Sequence, residues 1–158
     1  MIQQVVGVLH IALSFIMSLY FVWAPASLDY YYLLYFIILS ISWSLLNNEC
    51  GLSYLFKVIQ NPDYKMGSTY DVEDYNSVLG SVAPTFLNYI LFMYIFNLVF
   101  IVIRYEGLRN KVFVGVLVIA YLLYIRMLRI KDGEEKKVLQ ELNALINTLV
   151  LGHFALNK

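Results

Sequence analysis

Long apolar runs alternate with short polar segments along the first 130 residues or so. Four such runs cover residues 5–23, 30–46, 84–103 and 112–130. Each is close to the roughly 20 residues that an α-helix needs to cross a bilayer. The pattern predicts an all-α polytopic membrane protein whose residues 1–131 form a four-transmembrane-helix bundle.

The last segment, residues 132–158, has a different periodicity. Asp132 is placed to cap a helix and Glu135 to complete a capping box. Apolar residues and one glycine then recur at alternating spacings of four and three: Val138, Leu142, Leu145, Leu149, Gly152 and Leu156. This spacing predicts an amphipathic C-terminal helix. It could lie in the membrane interface, pack under the bundle, pair with another copy or form a fifth span.

One long hydrophilic segment, residues 58–83, separates the second and third runs. It is locally acidic at Asp71, Glu73 and Asp74, and tyrosines are interleaved with the acidic residues. Long loops in compact proteins are usually functional or disordered. The tyrosines favour a loop that contacts a partner or folds back on the protein over a plain linker. We therefore predict a homo-oligomer, or a membrane-protein partner bound through this loop and the 134–156 helix.

Composition agrees with a membrane location. Hydrophobic residues make up 61% of the chain and charged residues only 14%, with a mean hydropathy of +0.69. The formal net charge is zero, and no basic stretch indicates nucleic-acid binding. The lipid bilayer is therefore the first predicted partner, and no cofactor is indicated.

Four spans would place both termini and the 58–83 loop on one side. That side would then hold eight of the 11 basic residues, so the positive-inside rule predicts cytoplasmic termini. The opposing evidence is the basic turn between the third and fourth spans, which carries Arg104, Arg109 and Lys111.

This topology also predicts a polar layer in the cytoplasmic half of the bundle, with the opposite half nearly all apolar and aromatic. Its candidate residues are His10, Asn47, Asn48, Glu49, Asn88, Arg126 and Arg129. An unpaired buried carboxylate is costly, so we expect Glu49 to contact Arg126 or Arg129. The layer would then hold the helices together through interhelical contacts.

A functional alternative is a cavity in which His10 and Glu49 handle a proton, an ion or a lipid headgroup. A metal site at His10, Glu49 and Cys50 is disfavoured because no two of them have helix-ligand spacing. Cys50 is the single cysteine and fits a small core or interface residue. As a nucleophile it would need a base, and only His10 is expected nearby.

The stretch from Trp43 to Ser68 resembles small multi-span membrane proteins encoded by large DNA viruses. The resemblance rests on the Asn-Glu-Cys turn after a Trp-containing span and on the later Asn-Pro-Asp-Tyr-Lys motif. It implies a viral or host membrane location and a structural or membrane-remodelling role.

No complete catalytic constellation is evident from sequence, so the favoured function is structural, scaffolding or self-associating. The first alternative is a small oligomeric channel or transporter. The second is a membrane-embedded enzyme for a lipid or hydrophobic substrate, with His10 and Glu49 as acid and base.

Overall fold

The computed structural model describes residues 2–68, 73–130 and 133–156, and all regular structure within these ranges is helical. The α-helices are α1 (Ile2–Ser18), α2 (Tyr20–Trp23), α3 (Asp29–Leu45), α4 (Gly51–Gln60), α5 (Glu73–Leu79), α6 (Ala83–Arg104), α7 (Leu108–Met127) and α8 (Glu134–Leu156). Short 3₁₀ turns cover Ala26–Leu28 and Gly80–Val82. The predicted cap at Asp132 and the loop residues Tyr70 and Asp71 lie outside the described ranges.

Three helical segments within the described ranges are long and apolar enough to cross a membrane. They are Ala26–Leu45, Glu73–Arg104 and Leu108–Met127. The first predicted run contributes only a shorter apolar helix, Gln4–Ser18. The all-helical prediction is thus confirmed, together with three of the membrane-length helices.

The first apolar run is interrupted at Leu19, and a buried asparagine of α6 satisfies the backbone there. Asn97 Nδ2 donates to the carbonyl oxygens of Met17 and Ser18, both at 3.0 Å, and Asn97 Oδ1 accepts the Phe21 N–H at 3.2 Å. Buried backbone groups without partners are costly, so Asn97 allows the chain to leave the helix inside the bundle.

Helix α3 runs through the centre of the bundle. Leu33, Phe36 and Ile37 are completely buried. Near its end Trp43 stacks on Tyr124 of α7, with ring centroids 4.2 Å apart. Large aromatic rings bury much apolar area and pack in defined geometries, so this layer fixes α3 against α7.

Helix α8 lies antiparallel to α3 along the whole bundle. Asn143 Nδ2 donates to Ser44 Oγ at 3.2 Å near one end, and the Phe154 and Tyr30 rings meet near the other. Asn143 and Asn147 are fully buried. The apolar stripe of this helix faces outward, at Val138, Leu142, Leu145, Leu149 and Leu156.

The hydrophilic 58–83 segment is partly helical and folds back onto the bundle. It contains the last turn of α4 and all of α5. Helix α5 packs against α1 near Gly7, where an added Cβ would lie 2.7 Å from the Asp74 carbonyl oxygen. This close approach brings the acidic start of α5 to the middle of α1.

Candidate functional site

The side chains of Asp74, His10 and Cys50 come from distant parts of the chain and contact one another in that order. The Nδ1 atom of His10 is hydrogen-bonded to the Asp74 carboxylate, and its Nε2 atom lies 3.4 Å from Cys50 Sγ. An ionised carboxylate only accepts hydrogen bonds, so the Asp74 bond assigns the proton to Nδ1 and leaves Nε2 to accept the thiol proton. Nucleophile, base and orienting carboxylate therefore stand in the order of a catalytic triad.

A separate helical element holds each member of this triad. His10 lies within α1, Cys50 is the N-cap residue of α4, and Asp74 lies in the first turn of α5. Asp74 is completely buried behind the imidazole, and its second oxygen accepts a hydrogen bond from Ser53 Oγ at 3.0 Å. With both carboxylate oxygens engaged, Asp74 is fixed in position and in turn fixes the ring of His10.

Tyr75 supports the other side of the imidazole. Its ring meets that of His10 edge to face, with centroids 4.8 Å apart, and its hydroxyl is 2.6 Å from Ser14 Oγ. Gly7, His10 and Ser14 lie at spacings of three and four residues, so they share one face of α1, and α5 packs on that face.

Cys50 has a lowered pKa. Burial alone would raise the pKa of the thiol, but the hydrogen bond and the charge of His10 outweigh it, helped by the backbone N–H groups of Leu52 and Ser53. A thiol at a helix N-terminus beside a histidine has the surroundings of a reactive cysteine.

The triad opens onto a cavity of about 400 Å³, lined by both His10 and Cys50. Most of the wall is apolar, and its aliphatic residues include Leu13, Ile38, Leu39, Leu87, Ile90 and Leu91. Ligand sites are typically cavities of this size with a few placed polar groups. The arrangement suits a molecule with a hydrocarbon chain and one reactive polar group.

The predicted ion pair between Glu49 and Arg126 or Arg129 is wrong. Glu49 Oε1 accepts a hydrogen bond from Lys57 Nζ at 2.9 Å and another from the Tyr64 hydroxyl. Lys57 lies two turns further along the chain, on α4. It therefore reaches Glu49 locally, so no arginine from another span is required.

The pKa of Lys57 is changed by this pairing with Glu49. Burial alone would lower the pKa of its ammonium group, but the hydrogen bonds to Glu49 and Tyr64 raise it above the ordinary value. The pair thus keeps its two opposite charges together in a buried position.

The remaining polar-layer candidates separate into two groups. Asn48 lines the cavity, and Asn47 accepts a hydrogen bond from Gln140 of α8 at 3.2 Å. Asn88 and Arg129 are exposed, and Arg126 forms an exposed ion pair with Glu135 at 2.8 Å. The structure therefore brings His10, Asn48 and Glu49 to one cavity and leaves Asn88 and both arginines away from it.

The opposite half of the bundle, expected to be nearly all apolar and aromatic, also holds one cluster of polar side chains. Arg104 Nε donates to Asp29 Oδ2 at 2.7 Å, and the Tyr20 hydroxyl donates to Asp29 Oδ1 at 2.7 Å. Asp29 is the first residue of α3 and does not cap it, because Leu28 occupies the cap position. A buried ion pair thus closes this end.

Asp74 is the site residue that sequence reasoning missed. It was grouped with the acidic residues of the 58–83 loop, and its partner His10 lies 64 positions away. The available signal was indirect, since Gly7 stands one helical turn before His10 and permits the approach of another backbone.

Among the described residues, no group of three or more His, Cys, Asp or Glu side chains is arranged to hold a metal ion. No protein-family model, curated protein or solved structure matches the chain. The resemblance to viral membrane proteins therefore stays a prediction, and the functional argument rests on the site itself.

Proposed function

We propose that this protein is a membrane-embedded cysteine enzyme that transfers or hydrolyses fatty acyl groups through a thioester on Cys50. The observation that carries the proposal is the Cys50–His10–Asp74 line at the wall of an apolar cavity. A buried thiol with only a packing role would need neither an aligned imidazole nor a carboxylate behind it.

The proposed reaction begins with transfer of the Cys50 thiol proton to His10 Nε2. The thiolate attacks the acyl carbonyl carbon, a C–S bond forms, and the carbonyl π electrons move to oxygen. The N–H groups in the first turn of α4 have no intrahelical acceptors and lie at the positive end of the helix dipole. They can therefore stabilise this oxyanion.

Collapse of the intermediate expels the alcohol or amine, which leaves with the bond electrons and takes the proton from His10. Water or an acceptor alcohol then gives its proton to His10 and attacks the thioester carbonyl. The C–S bond breaks, and the sulfur recovers its proton. Asp74 keeps the imidazole in the required tautomer throughout.

The membrane placement is part of the proposal. We infer that α1 and α8 cross the membrane beside the three longer apolar helices, which puts the cavity within reach of lipid. The inward Asn143 and Asn147 and the outward leucines of α8 support this, because a helix facing lipid exposes its apolar side. Five spans would place the ends of the chain on opposite sides, rather than both in the cytoplasm.

With α8 spanning, the side that bears the triad still carries more basic residues. Among the described residues, that side has Lys57, Lys65, Arg126, Arg129, Lys136 and Lys137, and the other side has Arg104, Arg109 and Lys111. The positive-inside rule therefore favours a cytoplasmic triad. Scaffolding, self-association and channel activity stay predictions, and no contact within the described residues favours them over acyl transfer.

The test uses the whole chain in lipid nanodiscs with p-nitrophenyl dodecanoate as substrate. We expect release of p-nitrophenol and a dodecanoyl adduct on Cys50 in the intact mass. Cys50→Ala should abolish both, and His10→Gln or Asp74→Asn should slow acylation by at least about 100-fold. Asn88→Ala, an exposed change on α6, is the control and should act like the wild type.

Circular dichroism of each variant establishes that it is folded. Two results would overturn the proposal: no adduct on the folded wild-type chain, or equal turnover by Cys50→Ala.

A further inference from the structure

Two cavity residues beside the nucleophile have polar atoms that the triad does not use. The side-chain oxygen and nitrogen of Asn48 and the Oε2 atom of Glu49 are buried without hydrogen-bond partners among the described residues. Each residue is only 4% exposed, and both line the cavity. Buried polar groups without partners are costly, so a ligand that satisfies them gains affinity.

Asn48 reaches this position through an unfavourable backbone conformation. Asn47 and Asn48 have φ angles of 53° and 70°, a left-handed conformation that non-glycine residues adopt rarely and asparagine more readily than most. Gly67 packs directly on Asn47, where an added Cβ would lie 1.9 Å from Asn47 Nδ2. The turn is thus held from outside, while Asn48 faces the cavity.

The unused atoms define a donor and acceptor pattern. Glu49 Oε2 and Asn48 Oδ1 each need a donor, and Asn48 Nδ2 needs an acceptor. Two neighbouring hydroxyls supply this set: one donates to Glu49 and accepts from Asn48, and the other donates to Asn48. A quaternary ammonium group offers no N–H donor, and a phosphate dianion offers no donor to either oxygen.

The charge of the cavity also favours an uncharged headgroup. Lys57 neutralises Glu49 at 2.9 Å, so the pair has no net charge to offer an ionic headgroup. Building on the proposed acyl transfer, we infer that the substrate class is a fatty acyl ester of a neutral polyol, such as a monoacylglycerol. Asn48 and Glu49 hold its hydroxyls, and the aliphatic wall takes its chain.

The test measures binding, so that it does not depend on turnover. The probe is 1-O-dodecylglycerol, whose ether linkage is not cleaved. Dodecyl phosphate and dodecyltrimethylammonium serve as headgroup comparisons with the same chain. Trp43 lines the cavity, so its fluorescence reports occupancy in the Trp23→Phe chain in nanodiscs.

We expect the glycerol ether to bind at least about 10-fold more tightly than either ionic ligand. Asn48→Gly removes the amide without straining the left-handed turn and should eliminate this preference. The Asn88→Ala control should keep it. The double variant Glu49→Gln with Lys57→Met leaves no unpaired buried charge. It should also weaken binding of the glycerol ether.

Equal affinity for the three ligands, or an unchanged preference in folded Asn48→Gly, would overturn the polyol inference and leave the acylation test standing. Selective binding of the glycerol ether without acylation of Cys50 would support the ligand class and overturn the proposed reaction. The two failures are therefore distinguishable.

Discussion

At the scale of single residues, the chemistry of Cys50 depends on its neighbours. The thiol lies at the start of α4, with His10 Nε2 at 3.4 Å. Burial works against the thiolate, while the imidazole and the first backbone N–H groups of α4 favour it. The same thiol without His10 would be an inert core residue, because burial alone raises a thiol pKa.

This balance predicts a pH dependence for alkylation of Cys50. The thiolate is the reactive form. A lowered pKa therefore moves the pH at which the alkylation rate is half-maximal below the ordinary thiol pKa of about 8.5. In His10→Gln only burial and the N–H groups remain, so the midpoint should move to higher pH. Iodoacetamide labelling from pH 5 to 10, followed by intact mass, measures both midpoints.

The charged groups around the thiol support this assignment. Asp74 of α5 lies behind His10, and the Glu49–Lys57 pair is internally neutral, so His10 is the group whose removal should matter most. Identical midpoints in the wild type and His10→Gln would contradict the assigned role of the imidazole.

At the scale of elements, one glycine sets the distance between α1 and α5. A Cβ at Gly7 would lie 2.7 Å from the Asp74 carbonyl oxygen and 2.9 Å from Val78 Cγ2. The first contact is with backbone and cannot be relieved by a rotamer change. The position of Asp74 behind His10 therefore depends on the missing side chain at Gly7.

We predict that Gly7→Ala separates α5 from α1 and disrupts the His10–Asp74 contact. Overpacking of this kind costs about 1–3 kcal/mol, and the rate of Cys50 acylation should fall with it. Gly115→Ala is the matched control, since nothing lies within 4 Å of an added Cβ there. Alanine should instead stabilise α7 by up to about 1 kcal/mol.

Chemical unfolding in detergent and the dodecanoate assay measure the two effects. Equal stability and equal acylation in the two glycine variants would contradict the proposed role of Gly7.

At the scale of the whole molecule, two polar centres lie at opposite ends of an aromatic core. The triad and the Glu49–Lys57 pair occupy one end, and the Asp29–Arg104 pair with Tyr20 occupies the other. The first end has a cavity with unused polar atoms, so the proposed reaction is placed there. The second end joins α3 to α6.

The course of α8 decides the topology of the whole chain. Its end contacts Tyr30, at the start of α3, and its beginning contacts Ser44 and Asn47 near the end of α3. If α3 crosses the membrane, α8 crosses beside it. We therefore predict that a tag after residue 158 and a tag inserted near Lys65 lie on opposite sides.

Protease access to the two tags in sealed vesicles, before and after the membrane is permeabilised, tests this topology. Cleavage of both tags from the same side would instead support the four-span arrangement with both termini on one side.

Sequence patterns alone determined the helical class and, to within about one residue, the bounds of α3 and α6. The third apolar run was predicted as 84–103 and forms Ala83–Arg104, because an apolar run of this length and Pro84 in the first turn are local signals. His10, Asn48, Glu49 and Cys50 were also expected at one end of the bundle, since antiparallel helices bring those positions together.

Only the tertiary structure decided which of these residues form a site. The pairing of His10 with Asp74 spans 64 positions and depends on the helix contact at Gly7. Glu49 was assigned to a distant arginine but has Lys57, because a short helix after Cys50 turns that lysine back. The leucines of α8 faced outward for a similar reason: periodicity shows that a helix has two faces, whereas packing and solvent decide which one is buried.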